Sequence, residues 1–139
     1  MSRLRLVLFL LVLVSASCGQ SPLVPFRRAV DQAASWAAAI NYARELESHR
    51  AVPGAYLKQI VEDGTTEIET VRKTIAETSD LPADLKDEAT ALCDRMIGVL
   101  TSGATTNSRG PENSENIDVT ALAEIEHRFR DLATRAGGR

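Results

Sequence analysis

At 139 residues the chain has material for one hydrophobic core and too little for two ordinary domains. Apolar residues make up 44% of it but aromatics only 4%, with alanine abundant, which disfavours a sheet of aromatic and β-branched pairs and points to close-packed helices. A formal net charge of −3 argues against the concentrated basic surface that a nucleic-acid partner requires.

The N-terminus has the layout of an export signal: Arg3 and Arg5, then nine apolar residues from Leu6 to Val14, then the small residues Ser15, Ala16 and Ser17 before Cys18. As a helix the apolar run spans about 14 Å, well short of the roughly 30 Å hydrocarbon core, so residues 1–17 are expected to be a cleaved signal peptide and not a permanent span. Ser15-Ala16-Ser17 fits an ordinary signal peptidase site, and cleavage there also leaves Cys18 first. The stretch Val14-Ser15-Ala16-Ser17-Cys18-Gly19 resembles the lipobox of bacterial lipoproteins, with Ser15 standing where that motif usually has leucine. The resemblance covers the targeting segment alone. It implies cleavage before Cys18, a thioether-linked diacylglycerol on that sulfur and an acyl chain such as palmitate on its amine. Two or three chains, at about 0.8 kcal/mol per buried CH₂, give stable membrane anchoring. With Gly19 rather than aspartate after the cysteine, the resemblance also implies an outer-membrane address facing the periplasm in a Gram-negative host. Residues 18–24 then read as a tether.

Loss of residues 1–17 leaves 14 basic against 19 acidic residues, a mature formal charge of −5. From residue 25 to 139 the chain reads as an all-α, antiparallel four-helix bundle. Pro22 and Pro25 open the first helix, where a missing N–H is unpaired in any case. Phe26, Ala29, Val30, Ala33, Trp36, Ala37, Ile40 and Ala43 then recur on one face, with Phe26, Trp36 and Ile40 as the large fillers. Val52-Pro53-Gly54 is expected to end it.

The second helix carries Leu57, Val61, Gly64, Ile68, Val71, Ile75 and Thr78 at alternating steps of four and three, a seam made to face another helix. Gly64 on that seam predicts a close crossing or a kink. Ser79-Asp80-Leu81-Pro82 separates it from a third helix with Leu85, Ala89, Leu92, Met96 and Val99, widened by Cys93, Ile97 and Leu100. Residues 101–116, rich in Ser, Thr, Asn and Gly, read as a polar loop. From about Ile117 a fourth helix aligns Leu122, Ile125, Phe129, Leu132 and Ala136, and Ala136 to Arg139 is expected to fray. Its Arg128, Arg130, Arg135 and Arg139 are interleaved with Glu124, Glu126 and Asp131, the pattern of a solvated face.

Chemical motifs are sparse. Glu124 and His127 form a Glu-x-x-His, half of a di-iron carboxylate pattern, but His127 falls opposite the apolar stripe and no second copy exists. His49 falls opposite Ile40 and is expected to form a surface pair with Glu45, one turn before it, and Met96 reads as core. Nucleophile-elbow, P-loop, zinc-protease and haem-attachment motifs are absent from the sequence. No catalytic, metal or cofactor site is therefore expected, and Cys18 is the sole modification site. Cys93 reads as a buried thiol. If Cys18 is not lipidated, a Cys18–Cys93 disulfide and a soluble secreted domain are the alternative, and an intermolecular disulfide is a third.

The resulting expectation is a non-enzymatic binding, adaptor or structural lipoprotein of the cell envelope, in contact with a membrane through its lipid and with another envelope protein. The alternative is a bundle that binds or senses a small apolar ligand. An apolar cavity would favour the ligand; an exposed Ile97 and Leu100 patch would favour protein partners.

Overall fold

Two features fix where the first helix begins and ends. Pro22 precedes it with φ −57°, the Leu23 N–H donates to Ser21 Oγ at 3.4 Å, and Pro25 falls in the first turn, where its absent N–H leaves nothing unpaired. At the other end Arg50 takes φ 56°, the Arg50 N–H donates to the Glu47 carbonyl and the Ala51 N–H to the Leu46 carbonyl, both at 2.8 Å. This pair of bonds around a left-handed residue is a Schellman cap. The computed structural model describes residues 21–105 and 117–138, and in them four helices: α1 Leu23–Ser48, α2 Gly54–Glu77, α3 Ala83–Thr105 and α4 Val119–Gly137. The segment 1–17 expected to be a signal peptide, together with Cys18 and residues 19–20 of the expected tether, lies outside the described residues.

Several boundaries differ from the sequence reading. Helix α1 begins at Leu23, two residues before the expected start of the bundle at residue 25. The reversal after α1 is made by Arg50, whereas Gly54 is the first residue of α2, behind Pro53. Helix α3 runs through Thr105, so the polar loop does not start at 101; residues 106–116 lie outside the described ones. Helix α4 starts at Val119, with Asp118 Oδ1 accepting from the Ala121 N–H at 3.0 Å, and extends to Gly137 instead of fraying at Ala136.

α1 packs against α2 and α4, and α3 packs against the same two, so the helices form a ring of antiparallel neighbours with α1 and α3 nearly out of contact across it. Alanines on two sides of α1, Ala29, Ala33, Ala34, Ala37 and Ala43, let both neighbours approach closely. Phe26, Ile40, Met96 and Phe129 are among the large side chains that fill the centre. The α2 seam is buried from Leu57 to Ile75, Gly64 included. On α3 the phase departs from expectation: Leu100 and Cys93 are buried while Val99 and Ile97 are flanking residues half-buried against the core. Trp36 likewise sits at the flank instead of the centre.

The ring has two ends. One holds the start of α1, the 78–82 turn and the end of α4; the other holds the 49–53 turn, the end of α3 and the start of α4. At the first end the Lys86 ammonium donates to the Ala76 carbonyl at 2.8 Å, so α3 caps the last turn of α2.

Candidate functional site: a groove between the first and last helices

The polar groups singled out by sequence do not converge. His127 is 76% exposed and faces Asp131, with Nε2 3.5 Å from Oδ2. Glu124 turns instead to Arg95 on α3, which donates to it from both terminal nitrogens at 3.2 and 2.9 Å. That hydrogen-bonded guanidinium holds the Glu124 carboxyl below its ordinary value. Among the described residues no three His, Cys, Asp or Glu side chains are grouped so as to hold a metal ion. His49 is exposed and Met96 is fully buried in the core.

Cys93 is a free, fully buried thiol, pushed up to about 12 by loss of solvation, with Asp94 adding to the shift and Arg72 opposing it. A thiol of that kind is inert at neutral pH. Ile97 and Leu100 form no exposed patch, because Leu100 points into the core and Ile97 packs on it.

The arginines of α4 are engaged. Arg128 and Arg135 both donate to Glu88 on α3, at 3.4 and 2.6 Å, and Arg130 pairs with Glu126 at 2.9 Å. With Asp131 and Thr134 the Glu88 clasp borders a depression of about 370 Å³. Its charges cancel within it, and its ion pairs join α3 to α4.

A larger groove, about 560 Å³ and open to solvent, lies between the second half of α1 and the first half of α4. Helical spacing brings Ala38, Asn41, Tyr42, Glu45 and Ser48 to one wall, and Val119 and Glu126 come from the other. Its electrostatics are uneven. Arg44 at its edge is paired with Glu47, and Glu126 with Arg130, whereas the Glu45 carboxylate has no ion pair among the described residues. Asn41 Oδ1 is buried without a hydrogen-bond partner among the described residues. Tyr42 is 62% exposed and Val119 45%. Periodicity gave no hint of this groove, because it uses the residues that fall off the apolar stripe. The one available signal was Tyr42, a large aromatic on the polar side of α1.

No described helix is long and apolar enough to cross a membrane. In comparisons with known proteins the chain matches no family model, no curated protein and no solved structure.

Proposed function

We propose that this chain is an exported bacterial lipoprotein whose helical bundle is a non-enzymatic binding, adaptor or structural module, held at a membrane through lipid on Cys18 and engaging another envelope protein. The observation that carries the reading is the run from Arg3 and Arg5 through Leu6–Val14 to Ser15-Ala16-Ser17-Cys18-Gly19. The bundle is compatible with such an anchor. Helix α1 starts five residues after Cys18, a tether of at most about 18 Å, so a lipid there would hold one end of the bundle close to the headgroups. In a Gram-negative host the address is the periplasmic face of the outer membrane.

The binding-module reading gains support from the distribution of polar groups, which lie in an open groove and a self-neutralised clasp. A small apolar ligand finds less support, since both depressions are open and lined in good part by charged side chains.

Intact mass spectrometry of the mature protein from native membranes, with a Cys18→Ser control, tests the proposal. The expected result is the mass of diacylglycerol plus an acyl chain on a chain beginning at Cys18, lost in the variant. An unlipidated chain two hydrogens lighter than its reduced form would mean a Cys18–Cys93 disulfide and a soluble secreted domain, and would overturn it.

A further inference from the structure

We propose that the groove between α1 and α4 receives a basic side chain of a protein partner, its cation seated between the Tyr42 ring and the Glu45 carboxylate. This rests on the reading of the bundle as a protein-binding module and names the chemistry of what it binds.

Three independent features of the groove point to a cation. Glu45 is its one wall carboxylate without a salt bridge among the described residues, while Arg44 and Glu126 are already neutralised by Glu47 and Arg130. An incoming cation therefore meets an unshared negative charge, and an incoming anion meets no unshared positive one. Tyr42, one turn before Glu45 on the same helix, presents an exposed aromatic ring, and a guanidinium or ammonium over such a face is attracted by its quadrupole. Asn41 adds an acceptor that has no partner among the described residues; a rotation of its side chain would offer Oδ1 to an N–H donor in the groove.

The surroundings fit a polypeptide occupant. Of the four large apolar side chains exposed among the described residues, Tyr42, Tyr56 and Val119 belong to the end of the bundle remote from Leu23, and two of them border the groove. An apolar rim beside a single unshared charge suits a basic residue flanked by aliphatic ones. Tyr42 lies 19 residues beyond Leu23 on α1, about 28 Å along the axis, which places the groove well away from the tethered end. The mature charge of −5 steers basic partners toward the molecule as a whole, while the groove supplies the position.

The test is a titration of the isotope-labelled mature chain, in detergent if it carries lipid, followed by amide NMR. The probes are acetyl-Leu-Arg-Leu amide and its Gln-centred counterpart. The arginine peptide should give saturable shifts at Asn41, Tyr42, Glu45 and Val119, and the glutamine peptide should not. Glu45→Gln and Tyr42→Ala should each weaken binding by about threefold. Glu77→Gln, which removes the same charge near the opposite end, should leave binding unchanged. Equal response to both peptides, or equal weakening by Glu77→Gln, overturns the proposal, as does concentration-dependent shifting of the groove without peptide, which would make a second copy its occupant. The outcome is separable from that of the mass measurement. A lipidated chain with a silent groove removes the cation site alone, and an unlipidated chain that binds the arginine peptide removes the anchor alone.

Discussion

Gly64 on α2 lies directly against Ile40 on α1: a Cβ built at Gly64 would stand 2.8 Å from Ile40 Cδ1 and 3.2 Å from Trp36 Cε3. The glycine allows α1 and α2 to close to a distance that even a methyl group would obstruct. Two effects then compete in Gly64→Ala. The substitution gains about 1 kcal/mol of helix propensity, while overpacking against a buried isoleucine costs about 1–3 kcal/mol. The clash should win, leaving the variant about 1 kcal/mol less stable in urea unfolding. Made on an Ile40→Val background, which removes the obstructing methyl, the same change should be neutral or stabilising. Additivity of the two substitutions would show that the helices do not meet here as described.

Arg50 holds a left-handed conformation that disfavours any residue with a Cβ by about 1–2 kcal/mol. Arg50→Gly relieves that conformation while raising the entropy of the unfolded chain, for a net stabilisation of about 0.5–1 kcal/mol. Arg50→Ala keeps the Cβ and should change stability little. A gain in the alanine variant equal to that in the glycine variant would trace the effect to the lost charge and not to the backbone.

How legible each part was depended on whether local pattern or tertiary context determined it. The α2 seam could be read residue by residue from Leu57 to Ile75, because one helix face buried along its whole length leaves a strict repeat. The alanine face of α1 was legible for the same reason, except for Ala34, which is buried although it lies off the expected stripe. Arg50 was not legible, since arginine carries no turn signal and the Schellman bonds come from the backbone. Helix α3 persists through Thr101–Thr105 despite poor formers there, and Leu100 is buried where the stripe had pointed to Val99. The groove was least legible of all: Tyr42 and Val119 are far apart in sequence and meet only through the packing of α1 on α4. Cys18, on which the proposed anchor rests, lies outside the described residues.

Cys93 should make stability fall at alkaline pH. Its folded value is raised to about 12 from an ordinary 9.0, so the thiol is neutral in both states below pH 9 and its contribution is complete there. As pH rises from 9 toward 12 the unfolded chain ionises first and stability is lost, by roughly 1 kcal/mol at pH 10. Urea midpoints at pH 7 and pH 10 measure the slope, and Cys93→Ala should reduce it whatever that variant does to stability at pH 7. The native thiol should also react with a maleimide only as fast as the bundle opens; immediate stoichiometric labelling would contradict its burial.

Asn41 holds its side-chain oxygen out of solvent contact and without a hydrogen-bond partner among the described residues, and an unsatisfied buried acceptor costs about 1–3 kcal/mol. Asn41→Leu removes the polar atom, adds a better helix former and has the open groove to expand into, so the variant should be about 1 kcal/mol more stable, read as a higher urea midpoint at unchanged slope. Lower stability would mean that the amide finds a partner in solution. If the groove takes a basic side chain, the same variant should also bind the arginine peptide more weakly. A gain in stability with that loss of binding would mark Asn41 as a residue whose burial cost is retained for recognition. A gain with unchanged binding would leave the cation to Tyr42 and Glu45.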